Sequence, residues 1–311
     1  MTRALRMATL VLLPCVAASA QARGLMIGPE DLGPRDWAAL RAEIARARRT
    51  QPEAFAQVAA VRKNVARLDQ RKRGAVAPIS PLLKAIGPTA LWPMLEMLAV
   101  QAAPRGELNA SAWLALRLGL VEAVGTIRDA RARPVLAALW LAPETLLVRA
   151  VAEALGRLGD DASVALLLDR AGREQGARRM AVYSGMGSCR RLRSTQALAK
   201  VLAAEEDPER AKVLVKALAE AGNSGAWRTS GAWAKGEEQA VRETSARALV
   251  AAFVKHGGDV RQAASNGLLV VDAPATPGLI AQARARASGL VVEALDALRD
   301  RFARNPVRLA R

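Results

Sequence analysis

The residue types that carry most protein catalysis are scarce in this chain. His256 is the only histidine, and Cys15 and Cys189 are the only cysteines among 311 residues. A serine or cysteine hydrolase needs a base such as histidine beside its nucleophile, and zinc sites usually draw on several histidines and cysteines. His256 precedes two glycines at the end of a predicted helix, where the helix dipole favours a histidine. The sequence therefore predicts no catalytic residue, no metal site and no cofactor.

A glycine-rich stretch at residues 184–188, Ser-Gly-Met-Gly-Ser, is the next candidate for chemistry. It has the composition of a phosphate-binding loop, but it lacks the Lys-Ser/Thr ending and has no strand before it. We expect a distorted turn between two helices at this position.

Charge is the strongest compositional signal. The chain has 46 Lys and Arg against 29 Asp and Glu, a formal net charge of +17. Basic clusters lie at residues 46–49, 71–73, 178–179 and 190–193. They suit an acidic protein, polyanionic envelope material, nucleic acid or simply a solvated surface.

The six tryptophans could stack on nucleic-acid bases, but their places in apolar helical segments favour core packing.

Residues 1–22 follow the order of a signal peptide. Two arginines precede an apolar run at residues 7–17, and small residues follow that run. We expect cleavage after Ala20 or Ala22 and export to the periplasm or the cell exterior. No later stretch has the roughly 18 uninterrupted apolar residues typical of a membrane span, so we expect no transmembrane segment in the mature chain.

The elements that must position any site are helices, because Ala, Leu and Val dominate the apolar residues and aromatic residues are only 3%. Internal repetition organises them. Residues 121–129 align with residues 152–160 at an offset of 31, and each of these copies is followed by an apolar helix. Further copies lie at residues 217–223 and 241–249. A repeat of this length is typical of stacked helical hairpins.

Glycines and aspartates of the repeat are interpreted as turn and capping residues. Glycine adopts the left-handed backbone of a helix end at little cost, and an aspartate accepts hydrogen bonds from the first amides of the next helix. The predicted turn and cap residues are Gly125, Asp129, Gly156, Asp160, Asp207 and Gly222.

The clearest copy of the repeat lies at residues 147–168. It resembles the short bacterial HEAT-like repeats named from phycobilin lyases, whose signature is Val-Arg-x-Ala-Ala-x-Ala-Leu-Gly-x-Leu-Gly-Asp followed by an apolar helix. The resemblance covers about residues 85–300. It implies an all-α fold, an α-solenoid of stacked antiparallel helix pairs of the HEAT-like or armadillo type.

The chain is predicted to have four parts. A signal peptide at residues 1–22 precedes an N-terminal helical hairpin or cap at residues 23–75, whose apolar residues recur at helical spacing. A HEAT-like solenoid at residues 76–305 and a frayed tail at residues 306–311 follow.

In such stacks the second helix of each pair lines the binding groove. Aligned copies of the repeat place charged residues of both signs one turn apart, unlike a surface that tracks phosphates. The candidate groove residues are Glu122, Arg149, Glu153, Lys212, Lys216, Glu243 and Arg247.

The function predicted from these features is non-catalytic binding or scaffolding of a protein partner, for which the basic surface favours an acidic one. Two alternatives stay open. One is a nucleic-acid-binding helical-repeat protein that uses the basic surface, and the other is a bilin lyase-like enzyme, which only the name of the repeat family suggests.

Overall fold

The structure, a computed structural model, describes residues 24–102, 105–228 and 236–305. Within these ranges the regular structure is helical and no strand occurs. The prediction of an all-α solenoid is confirmed. The predicted signal peptide and the predicted tail at residues 306–311 lie outside the described residues.

The N-terminal part begins with a 3-10 turn, Pro29–Asp31, and a pair of helices, α1 (Pro34–Thr50) and α2 (Pro52–Gln70). Two short helices follow, α3 (Ser80–Ile86) and α4 (Leu91–Leu95), and α4 continues into a π-helical turn, Glu96–Val100. Helices α1, α2 and α3 each have a proline in the first turn, where its missing N–H leaves no intrahelical bond unmade.

The repeats follow as pairs of helices. The first helices of the pairs are α6 (Arg133–Ala138), α8 (Asp161–Arg173), α10 (Leu192–Ala204), α13 (Glu238–Lys255) and α15 (Thr276–Arg286). The second helices are α7 (Thr145–Leu158), α9 (Gly176–Met186), α11 (Pro208–Ala221), α14 (Gly258–Val271) and α16 (Leu290–Ala303). Helix α5 (Ala110–Ile127) precedes α7 in the second series, and the short α12 (Ser224–Trp227) lies between two pairs.

Helices of the same series pack side by side. Helix α5 contacts α7, α7 contacts α9, α9 contacts α11 and α11 contacts α14, and these helices form the second-helix layer. Helices α8, α10, α13 and α15 form the first-helix layer in the same way. One hydrophobic core runs through the molecule from Ile27 to Phe302. Stacking therefore buries the apolar faces that a single pair would leave in water.

The N-terminal hairpin belongs to the same packing. Helix α2 contacts α3, α4 and α5, and its Val58 and Val65 are buried in the common core. The core thus continues across the predicted boundary at residue 75, and the hairpin closes the first end of the stack.

Helix α5 bears on the expectation that the mature chain has no transmembrane segment. Its 18 residues have a mean hydropathy of 1.3, so by length and composition it could cross a membrane. More than half of α5 is buried, and its contacts are with α2, α3 and α7. A helix that is apolar nearly all round has this environment at the centre of a large core.

Gly125 and Gly156 do not lie at turns as predicted. They lie inside α5 and α7, and neither has a positive φ. A Cβ on Gly125 would lie 2.5 Å from Ala154 Cα, and one on Gly156 would lie 3.0 Å from the amide nitrogen of Cys189. Gly125 requires glycine because the backbone of α7 comes too close for any side chain, and at Gly156 a side chain would be crowded by the backbone after α9.

Helices α5 and α7 end a few residues after these glycines. Arg128 (φ 59°) ends α5 and Gly159 (φ 64°) ends α7, both in the left-handed conformation. Gly222 does follow α11, but with φ −84°, an ordinary right-handed value.

The three aspartates of the repeat pattern begin helical segments. Asp129, Asp160 and Asp207 are N-caps whose side chains accept hydrogen bonds from backbone amides. The donors are the amides of Arg131, Ser163 and Arg210, at 2.9, 2.8 and 2.8 Å. Each bond satisfies a donor that the helix itself leaves without a partner.

Candidate functional site

Two depressions on the second-helix layer contain predicted groove residues. The first depression, of about 430 Å³, lies between α3, α5 and α7, with residues 76–79 as one wall. Ala115, Leu118 and Ala150 form part of its apolar lining. Its charged residues are Lys84, Glu122, Arg149 and Glu153.

The first depression therefore brings together three of the predicted groove residues. Arg149 Nε donates to Glu153 Oε1 at 2.8 Å, and Glu122 lies on the neighbouring helix. Leu146, also in the lining, is 50% exposed. An exposed leucine beside charges of both signs is suited to contact with another polypeptide.

The second depression, of about 510 Å³, lies between α11 and α14. Two of the predicted groove residues, Lys212 and Lys216, line it together with Val270, which is 40% exposed. Lys212 Nζ donates to Asp259 Oδ2 at 2.6 Å across the two helices. This hydrogen bond lowers the pKa of the Asp259 carboxyl below its ordinary value.

Glu243 and Arg247 lie elsewhere, which corrects the predicted groove. Both belong to α13, a helix of the first-helix layer, so the repeat copy at residues 241–249 aligns with the wrong helix of its pair. Arg247 lines a separate depression between α13 and α15, and Glu243 accepts a hydrogen bond from Gln239 at 2.9 Å. The register is lost because α12 and the residues after it are inserted between two helix pairs.

Three arginines between the two depressions are not among the predicted groove residues, although Arg190 belongs to the basic cluster at residues 190–193. Arg128 ends α5, Arg157 lies in the last turn of α7, and Arg190 follows α9. Arg190 Nη2 lies 3.3 Å from Glu220, a residue of the second depression. Burial, together with the nearby Arg128 and Arg157, lowers the pKa of Arg190. No periodic signal could reveal this group, because its members hold different positions relative to their helices.

Some arginines of the basic clusters contact other segments of the molecule. Arg178 donates to the carbonyl of Trp140 at 3.0 Å, which joins α9 to the loop after α6. Arg191 forms ion pairs with Asp161 and Glu237, at 2.7 and 2.9 Å. These guanidinium groups tie neighbouring segments together, so they do not form a continuous cationic surface.

Residues with reactive side chains are isolated from one another. Cys189 is fully buried, and desolvation raises the pKa of its thiol to about 11. His256 is buried at the end of α13. Among the described residues, no group of three or more His, Cys, Asp or Glu is placed to hold a metal ion.

Comparison with known proteins bears on the repeats. A sequence model of the family described as HEAT repeats matches residues 108–187, which include α5 to α9. No curated protein sequence gives a significant match. Among solved structures, the chain is similar to human deoxyhypusine hydroxylase in complex with glycerol, with a TM-score of 0.34 and 18% identity. That similarity covers 82% of this chain and 98% of the other. The matches do not extend to the phycobilin lyase type of repeat.

Proposed function

We propose that this chain, a protein of HEAT-like repeats, is a non-catalytic scaffold that holds a protein partner on the exposed face of its second-helix layer. One observation carries the proposal. The same layer of helices presents two depressions in succession, and each combines apolar lining residues with charges of both signs. A central apolar surface with a polar rim is the usual anatomy of a protein–protein interface.

The mixed charge of this face favours a protein over nucleic acid. A surface that follows a phosphate backbone concentrates cations, whereas Glu122 and Glu153 interrupt them in the first depression and Asp259 in the second. Three described tryptophans are too buried for base stacking, since Trp92, Trp140 and Trp227 are 8%, 1% and 2% exposed. Trp37 and Trp113 are partly exposed. Trp233 lies outside the described residues.

The proposed place of action is the periplasm or the cell exterior. The support is the signal-peptide order of residues 1–22. N-terminal sequencing of the chain purified from its own cells tests this. A first residue of Gln21 or Arg23 agrees with the two expected cleavage positions, and an intact Met1 in the cytoplasm contradicts export.

Site-specific photo-crosslinking in intact cells tests the scaffold proposal. A photoreactive amino acid replaces Leu146 at the first depression or Val270 at the second, and replaces Leu141, which follows α6 and is 68% exposed, as the matched control. We expect the same protein to be captured at positions 146 and 270 and not at position 141. Equal capture at all three positions, or at none, contradicts the proposal.

The captured protein is then tested by direct binding. Leu146→Glu places a carboxylate on the apolar lining of the first depression and should weaken binding by about tenfold or more, because a misplaced interfacial charge costs free energy on the order of several kcal/mol. The matched variant Leu141→Glu, at an exposed leucine outside the depression, should leave binding unchanged.

A further inference from the structure

Arg128, Arg157 and Arg190 converge where three successive second helices end. Close backbone contacts at Gly125 and Gly156 hold α5 beside α7, and α7 beside the segment that follows α9. Residues 29 to 33 positions apart in the sequence are thereby collected on one strip of the surface. The strip runs between the first and second depressions, because Arg157 contacts Glu153 and Arg190 contacts Glu220.

The carboxylates in this strip neutralise Arg157 and Arg190 incompletely. Arg157 Nη2 is 3.4 Å from Glu153 and Arg190 Nη2 is 3.3 Å from Glu220, both longer than the roughly 2.7–2.9 Å of a strong charge-assisted hydrogen bond. Glu153 makes its shorter bond, 2.8 Å, to Arg149. The two contacts therefore leave binding capacity in both guanidinium groups.

Two buried guanidinium nitrogens also lack partners. Within the described part of the chain, Arg157 Nη1 and Arg190 Nε have no hydrogen-bond acceptor. Arg128 and Arg157 repel the charge of Arg190 as well. Buried donors without acceptors are costly, and like charges gathered at one place are stabilised by an anion that binds among them.

We infer that the partner presents an acidic polypeptide segment to Arg128, Arg157 and Arg190, and this inference rests on the proposed function. A polypeptide that occupies both depressions has to cross this strip, where its carboxylates meet the three guanidinium groups. The net charge of +17 adds long-range attraction for an acidic segment. Its apolar side chains then contact Leu146 and Val270, one on either side of the arginines.

Fluorescence anisotropy with a labelled hexaglutamate peptide and the whole chain, at physiological ionic strength, tests the inference. Arg128→Gln and Arg157→Gln should each weaken binding by about tenfold, which corresponds to about 1.4 kcal/mol. The matched control is Arg173→Gln on α8, whose side chain is 72% exposed and pairs with Asp169 at 2.8 Å. The control should bind as the unsubstituted chain does, and hexalysine should not bind.

Arg190 is left unchanged, because its side chain is only 11% exposed and its replacement endangers folding. Circular dichroism establishes that the two site variants remain folded. If Arg173→Gln weakened hexaglutamate binding equally, binding would depend on overall charge alone, and the inference would be overturned. Displacement of hexaglutamate by inorganic phosphate at an equal concentration of charge would assign the arginines to a free anion and overturn it too.

Absence of hexaglutamate binding to the unsubstituted chain would also overturn the inference. The proposed function is judged separately, since photo-crosslinking at positions 146 and 270 does not depend on the charge of the probe. Crosslinks without hexaglutamate binding would leave a scaffold whose partner is recognised by other chemistry.

Discussion

The repeat stack and the joint between the N-terminal hairpin and that stack are held by different chemistry. In the stack, backbones approach so closely that a Cβ does not fit at Gly125 and would be crowded at Gly156. At the joint, the buried Asp69 of α2 accepts a hydrogen bond from Lys72 Nζ at 2.7 Å and another from Ser111 Oγ of α5, also at 2.7 Å. The stack is therefore sensitive to side-chain volume and the joint to charge.

Each kind of contact suits its region of the molecule. A contact made of small residues can be repeated from one helix pair to the next, because it needs no particular partner group. The hairpin shares the common core with the stack, and the buried Asp69 with its several donors adds a contact that depends on charge. The hydrogen bond from Lys72 lowers the pKa of Asp69, so this attachment also responds to pH.

The largest effect is expected from enlarging a stack glycine. Gly125→Val would press its Cβ against Ala154 Cα, at 2.5 Å, and should reduce the free energy of unfolding by about 3 kcal/mol, at the upper end of overpacking costs. Chemical denaturation measures the change. The control is Gly172→Ala in α8, where no atom lies within 4 Å of the new Cβ. There the better helix propensity of alanine should stabilise the chain by up to about 1 kcal/mol. Equal effects of both variants would contradict the role assigned to the close contact.

A smaller effect is expected at the joint. Asp69→Asn keeps the shape of the side chain but removes its charge, and should cost about 1–3 kcal/mol at neutral pH. Because the folded pKa of Asp69 is lowered, its contribution is present above the ordinary value of 3.8 and is lost as the pH falls through the lower folded value.

Denaturation of both chains across the acid range measures this pH dependence. The stability difference between the unsubstituted chain and Asp69→Asn should close only in strong acid. The exposed Asp169, in an ion pair on the surface of α8, is the control, and Asp169→Asn should change stability by no more than about 1 kcal/mol. A difference at Asp69 that stays constant with pH would show that its charge does not hold the joint.

The smallest effect is expected at a helix cap. Asp160→Ala removes the acceptor of the Ser163 amide, and should cost about 1 kcal/mol. Asp160→Asn keeps a capping oxygen and should therefore lower the stability less than Asp160→Ala does, although it weakens the contact with Arg133 at 2.6 Å. Thermal unfolding of the two variants tests the order, and a larger loss in the asparagine variant would contradict capping as the main role.

The sequence predicted the HEAT-like architecture correctly because repetition and helix propensity are local properties. It could not assign the role of Gly125 or Gly156, since a glycine that ends a helix and one that admits a neighbouring backbone leave the same mark in the sequence. The misplacement of Arg247 has a related cause, because an insertion shifts the alternation of first and second helices without changing the local pattern. Arg190 lies outside any helix, so the helical periodicity of the sequence could not predict its position.

The position of Cys189 makes its thiol a reporter of local opening between neighbouring repeats. Its sulfur is enclosed where the segment after α9 meets α7, and its raised pKa keeps it protonated. A protonated, enclosed thiol does not take part in disulfide exchange, even under oxidising conditions. A mixed disulfide or covalent dimer through Cys189 would therefore identify molecules in which neighbouring repeats had separated and exposed the thiol.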